Sequence, residues 1–203
     1  MWITKLPETE EKVQTLTTFC KVFQDMHAMY RKPEQSDLII VCEDLEIPVH
    51  KCVLSARSPV FAHMFRNVTN ESTAENRILI TDVEPCVLEK LLQFLCSGWI
   101  NLSSYSVACD LYYASVKYSV LELKDICREF INSSLSASIV TKTLSLAKKH
   151  ENQKMLEKAL IFVNSEFEDI ESTEAWTVIS EENQNLEREI LCSIIKMRSK
   201  NHK

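Results

Sequence analysis

The chain has 203 residues, 45% of them hydrophobic, and a formal net charge of −6. It can therefore bury a real core, and it lacks the basic footprint of a nucleic-acid binder. A single glycine and five prolines rule out a low-complexity chain and a glycine-rich phosphate loop.

No apolar run in Met1 to Thr18 has the look of a signal-peptide core, and none elsewhere approaches the ~18–20 apolar residues of a membrane-spanning helix. The expectation is a soluble intracellular protein, nuclear, cytoplasmic or both, with neither nucleic acid nor membrane as partner and with no cofactor. In a reducing compartment the eight cysteines, nearly all within apolar patterns, read as reduced, buried thiols.

Residues 1–11 are polar and read as a flexible N-terminus. From about Lys12 to Arg31, the residues Val13, Leu16, Phe19, Cys20, Phe23, Met26 and Tyr30 recur at three and four positions, which makes one apolar stripe on a helix. That stripe must be covered, either by the chain's own domain or by a second copy. The run Leu38 to Cys42 is of strand length and rich in β-branched residues. Glu43-Asp44 interrupts it, and Leu45, Ile47 and Val49 then alternate with Glu46, Pro48 and His50, so a β-hairpin is expected. Val53, Leu54, Val60, Phe61, Met64 and Phe65 fall at helical spacings, broken at Ser58-Pro59. Pro59 suits the first turn of a second helix, with Ser58 as its N-cap.

A polar loop spans Arg66 to Asn76. Arg77 to Ile80 reads as a third strand, and Asp82 to Pro85 as the cap of an apolar helix running to Cys96. Gly98 stands where a left-handed residue ends that helix. Trp99 to Leu102 suggests an edge strand, followed by helices over residues 105–118 and 121–134. Beyond them the pattern is helical throughout, over residues 139–150, 153–165, 167–171, 173–179 and 182–197, with Thr173 and Ser180 as N-caps.

Two constellations invite chemistry. Cys42, His50, Cys52 and His63 do not match the spacing of a zinc site. His50 has no Ser or Cys motif to serve, so it reads as a hydrogen-bonded structural histidine rather than a catalytic base. An enzyme is not expected.

The ordered set Ser36-Asp37-Leu38, Val49-His50-Lys51, Leu54 to Phe61, Met64-Phe65 and Ile80 to Pro85, with Ser97-Gly98 after it, resembles the BTB/POZ domain. Within that family it is most similar to the speckle-type POZ (TD-POZ) proteins. Ala147, Phe162-Val163-Asn164 and Trp176 resemble the first helices of the BACK region and its 3-box. The resemblance implies an α+β fold: a BTB/POZ domain over residues 12–134, with a small β-sheet flanked by helices, and an all-α, BACK-like extension over 135–203. It implies a homodimer whose interface includes Val13, Leu16, Phe19, Cys20 and Phe23, with Asp37 and Lys51 as a charged pair near the contact. It also implies binding to cullin-3 through Val68, Thr69, Glu71 and Tyr118, which would make the chain a dimeric adaptor that recruits a protein for ubiquitylation.

The chain departs from the family pattern in places. A turn glycine is replaced near Asp44, a residue that tolerates positive φ. Pro48 removes a backbone donor, acceptable only at an edge or beside a break. The apolar anchor expected before Glu71 is Thr69, with Val68 one position early. No MATH domain fits in the 35 residues before Ser36. These last two features support an alternative: an interaction and dimerisation module that pairs with or sequesters other BTB proteins.

Overall fold

The computed structural model describes residues 21–22, 24–30, 32, 34, 36–67 and 76–200. Two compact units emerge, one formed by Met1–Asn101 with Asp110–Lys124, the other by Leu102–Cys109 with Asp125–Lys203.

The first unit is built on a three-stranded sheet. Strands β1 (Leu38–Cys42) and β2 (Leu45–Val49) form the expected antiparallel hairpin, with Ile40 opposite Ile47 and Ile39 opposite Pro48. Strand β3 (Arg77–Leu79) lies parallel to β1, giving the order β2-β1-β3. Pro48 thus sits on an edge strand, where its missing donor is tolerated. Period-two alternation buries Leu38, Ile40, Cys42, Ile47 and Val49, each fully buried aliphatic side chain contributing about 1.5–3 kcal/mol. The positive φ of the hairpin turn falls on Glu43, at 52°, and not on Asp44.

A parallel neighbour needs a crossover. Helices α1 (Lys51–Arg57) and α2 (Pro59–Asn67) begin it. Ser58, fully buried, closes the first and caps the second: its backbone N–H donates to Leu54 O, and its Oγ accepts from Phe61 N at 3.2 Å. Helix α3 (Pro85–Ser97) buries Val87, Leu88, Leu91, Leu92, Phe94 and Leu95. It ends on Gly98 at φ 69°, the left-handed conformation that glycine adopts without steric penalty. Its N-cap is Glu84, without a side-chain cap bond, and Pro85 opens the first turn, so the helix starts within the Asp82 to Pro85 segment as expected. Residues 99–102 form no strand. Ser97 Oγ accepts from Trp99 N at 3.2 Å, which folds the chain back on the helix end.

Helices α4 (Tyr105–Lys117) and α5 (Leu121–Ser133) follow, and the chain passes between the two units within each of them. The rest of the second unit consists of α6 (Val140–Lys149), α7 (Gln153–Ser165), α8 (Phe167–Glu171), α9 (Glu174–Glu182) and α10 (Gln184–Lys200). Val140, Leu144, Ala159, Val163, Ile170, Trp176, Ile179, Leu186, Ile190 and Ile194 form its core. Thr173 caps α9 as expected, accepting from Trp176 N at 3.2 Å. The cap of α10 is Asn183, which accepts from Leu186 N at 3.1 Å. Ser180 lies inside α9 instead, its hydroxyl donating to Glu187. The fold is therefore α+β, a small sheet flanked by helices with an all-helical C-terminal part.

The thiols divide. Cys42, Cys96 and Cys127 are buried, whereas Cys52, Cys86 and Cys192 are exposed, contrary to the expectation of burial. Among the described residues no helix is long and apolar enough to cross a membrane.

Candidate functional site

One corner of the first unit is organised around Tyr118, the residue after α4. It is 2% exposed. Its ring stacks on Phe61 with centroids 4.8 Å apart, and Phe61 stacks on Phe65 at 5.7 Å. The Tyr118 hydroxyl donates to Asp82 Oδ1 at 3.1 Å, and the other Asp82 oxygen forms an ion pair with Lys117 Nζ. The Tyr118 carbonyl accepts from Ser58 Oγ at 2.6 Å. Three segments distant in sequence, around Ser58, Asp82 and Tyr118, are thereby fastened to one ring.

The electrostatics follow from this packing. Burial pushes the Tyr118 phenol above its ordinary range, and the neighbouring Asp82 charge adds to the shift. For Asp82, burial alone would raise the carboxyl. The hydrogen bonds from Lys117 and Tyr118, together with the Lys117 charge, outweigh it and hold the group below its usual value.

Sequence resemblance places Tyr118 among contact residues, but its ring is interior and supports the surface from beneath. What α4 presents to solvent is Tyr113, 41% exposed, and Val116, 37% exposed, neighbours at i and i+3 on one helix face. Leu121, at the start of α5, is 66% exposed. Lys117 Nζ stands 5.8 Å from the Tyr113 ring centroid, as a cation over an aromatic face. A tyrosine with an apolar neighbour on a rigid helix is the kind of anchor that protein interfaces favour. Sequence reasoning missed this pair, although the helical period carried the signal. Ala108, Leu111, Tyr112 and Ser115 are buried, and continuing that spacing puts Tyr113 and Val116 outside.

The remaining expected positions divide by location. Val68, Thr69 and Glu71 lie outside the described residues, as do Val13, Leu16, Phe19, Cys20 and Phe23 of the N-terminal stripe; of that segment, residues 24–29 are helical. Asp37 and Lys51 do meet, but through the backbone. Asp37 Oδ1 accepts from Lys51 N at 2.8 Å, satisfying an N–H at the start of α1 that no cap side chain of its own reaches. The Lys51 ammonium donates instead to Asn76 Oδ1 at 3.4 Å. His50 departs from expectation: its Nε2 is buried and has no hydrogen-bond partner among the described residues. Cys42 Sγ donates to Val83 O at 3.2 Å, while Cys52 and His63 are exposed. Among the described residues, no three or more His, Cys, Asp or Glu side chains come together as a group that could hold a metal ion.

A sequence model of the BTB/POZ domain matches residues 26–135. Among curated proteins, the chain is 29% identical over 178 residues to TD and POZ domain-containing protein 4 of Mus musculus, covering 87% of this chain and 48% of that protein. It is 31% identical over 171 residues to TD and POZ domain-containing protein 1 of Mus musculus, covering 84% of this chain and 47% of that protein. The chain thus spans about half the length of these relatives. Among solved structures, the BTB domain of zebrafish PATZ1 aligns with a TM-score of 0.48 at 18% identity, over 64% of this chain and 100% of that one.

Proposed function

Because the chain belongs to the BTB/POZ domain family and is a protein-interaction module, we propose that it acts as a dimeric adaptor that binds cullin-3 and brings a second protein to ubiquitylation. The adaptor does no chemistry. It raises the effective concentration of its cargo near the ligase.

The observation that carries this reading is the exposed Tyr113–Val116 step on α4, held by the Tyr118 clamp beneath it. In the proposed complex cullin-3 covers that step together with Val68, Thr69 and Glu71. Tyr118 positions the helix without touching the partner. The dimer is assigned to the stripe Val13, Leu16, Phe19, Cys20 and Phe23, with the Asp37–Lys51 bond fixing the start of α1 beside it.

The test is a calorimetric titration of the full chain with the cullin-3 N-terminal domain, run beside Glu71→Lys and Tyr113→Ala. Binding that is weakened at least tenfold by both variants, equivalent to about 1.4 kcal/mol each, supports the reading. Absence of binding by a folded dimer overturns it.

One observation favours a second reading. Thr69 stands where an apolar anchor is expected, and such an anchor can contribute ~2 kcal/mol or more. A module that pairs with other BTB proteins has no need of it. Native mass spectrometry of this chain mixed with a TD and POZ domain-containing protein would show heterodimers if that reading holds, and only homodimers if it does not.

A further inference from the structure

Ser165, the last residue of α7 in the second unit, is exposed and belongs neither to the Tyr113 surface nor to the N-terminal stripe. It heads the stretch Ser-Glu-Phe-Glu-Asp-Ile-Glu, with acids at +1, +3, +4 and +6. Those acids, Glu166, Glu168, Asp169 and Glu171, are all exposed, whereas Ile170 is fully buried and Phe167 packs edge-on against Trp176. The core takes the two apolar side chains and leaves the serine and its acids outside. No basic residue stands between Lys158 and Arg188, so no neighbour in sequence balances this charge.

The backbone beside Ser165 is already at a helix break. Glu166 is at once the C-cap of α7 and the N-cap of α8, with φ −114° and ψ 28°, and α8 has only five residues. A helix that short has little stability of its own. The Ser165 hydroxyl donates to Phe162 O at 2.9 Å, a local bond that a turn about χ1 breaks.

A cation stands next to this serine. Arg198 of α10 donates through Nε to Asn164 Oδ1 at 3.0 Å and through Nη2 to the Asn164 carbonyl at 3.4 Å. That carbonyl belongs to the peptide bond joining Asn164 to Ser165, which puts the guanidinium on the order of 6 Å from Ser165 Cα. Both of these acceptors are neutral, and among the described residues Arg198 forms no ion pair.

We propose that Ser165 is a phosphorylation site for an acidophilic serine kinase, one whose basic substrate groove reads carboxylates C-terminal to the serine, and that Arg198 receives the phosphate. In the transfer, Ser165 Oγ forms a bond to the γ-phosphorus of ATP. The bond from that phosphorus to the β,γ-bridging oxygen breaks to release ADP, and the hydroxyl proton leaves to the kinase's base. The product carries about −1.5 to −2 charge. The carbonyl end of a helix repels such a group, and so do Glu166, Glu168 and Asp169. Arg198 supplies the compensating cation, with a planar fork of donors suited to phosphate. Phosphorylation thus ties the end of α7 to the last turns of α10, and it requires nothing of the adaptor reading.

The test incubates the full chain with ATP, magnesium and casein kinase II, an acidophilic serine kinase, and maps the modified residue by peptide mass. Phosphate should appear on Ser165, and the double variant Glu168→Gln, Asp169→Asn should slow its incorporation at least tenfold. No phosphate on Ser165, or the same rate in the double variant, would overturn the assignment. Hydrogen-exchange mass spectrometry then compares the phosphorylated and unmodified chains. Amides in the last turns of α10 should exchange about two- to fivefold more slowly after phosphorylation, the scale of one exposed ion pair. Arg198→Gln should leave phosphorylation intact and abolish the slowing. Unchanged or faster exchange, or slowing that persists in Arg198→Gln, would overturn the role given to Arg198.

Discussion

Ser58→Ala gives the sharpest test of the packing argument. The Ser58 hydroxyl does two jobs at a fully buried position: it accepts from Phe61 N at 3.2 Å and donates to the Tyr118 carbonyl at 2.6 Å. Losing an N-cap costs about 1 kcal/mol. Leaving a buried carbonyl without its donor costs about 1–3 kcal/mol. The expected loss is therefore about 2–4 kcal/mol, confined in origin to the unit that contains the sheet. Hydrogen-exchange mass spectrometry of the α3 peptide, whose Leu91 and Leu92 are fully buried in that unit, reads it directly. Exchange should accelerate by roughly 30- to 700-fold, at 1.4 kcal/mol per factor of ten. Ser58→Gly separates the two jobs, because glycine caps a helix almost as well as serine but donates nothing to Tyr118. It should recover only the capping part. A Ser58→Ala effect below about threefold, or a Ser58→Gly protein as protected as the parent, would refute the assignment of the Tyr118 carbonyl bond.

Other outcomes follow from the same contacts. Since the folded-state pKa of Asp82 is depressed, its stabilising contribution is present above the ordinary carboxylate range, near ~3.9, and is lost as pH falls through the folded value. Unfolding midpoints measured between pH 7 and pH 3 should fall less steeply in Asp82→Asn than in the parent, and parallel curves would sink the point. Maleimide labelling of the native chain, read by peptide mass, should modify Cys52, Cys86 and Cys192 within minutes. Cys42, Cys96 and Cys127 should react only after denaturation, as burial pushes the Cys96 thiol up to about 11 and that of Cys127 up to about 12. Trp176 is 5% exposed, with Phe167 edge-on at 5.6 Å. Trp176→Ala should remove about 3–5 kcal/mol and abolish the near-ultraviolet circular dichroism of that core, and a protein that keeps its cooperative melt within a few degrees would contradict this.

Much of the fold was legible because its signals are local. The apolar, β-branched run Leu38 to Cys42 and the alternation of Leu45, Ile47 and Val49 with polar neighbours mark strands wherever they occur, and Pro59, Gly98 and Thr173 each mark a helix end by their own backbone or side-chain chemistry. What stayed hidden was chemistry whose partner lies far along the chain. The Asp82 to Pro85 segment starts α3 as expected, but nothing in it shows that Lys117 and Tyr118 engage the Asp82 oxygens. Ser180 precedes an apolar run, but α9 continues through it and Asn183 takes the capping role. Trp99 to Leu102 has strand composition, and Ser97 diverts it. Glu43 takes the positive φ that Asp44 seemed better suited to, which local preference does not forbid but does not foretell. The candidate surface was legible only as a neighbourhood. Tyr118 could be named from the sequence, whereas burial decided that Tyr113 is the side chain facing out.

That division of labour between two tyrosines bears on how a weakened anchor can still belong to a binding surface. Association loses free energy whenever side chains or loops must be ordered at the interface, about 0.5–1.5 kcal/mol for each flexible side chain that is immobilised. Here the helix bearing Tyr113 and Val116 is already tied down: Tyr118 is stacked on Phe61, held by Asp82 through its hydroxyl and by Ser58 through its carbonyl. Lys117, which lies over the Tyr113 ring, is itself held by Asp82. A partner covering this step meets a surface whose ordering cost was met on folding. The saving from one or two preordered side chains is comparable to the ~2 kcal/mol that an apolar residue at position 69 could have supplied. Loosening the clamp should therefore weaken partner binding without removing any contact, and a Tyr118→Phe variant that stays folded yet binds less tightly is the physical signature of that coupling.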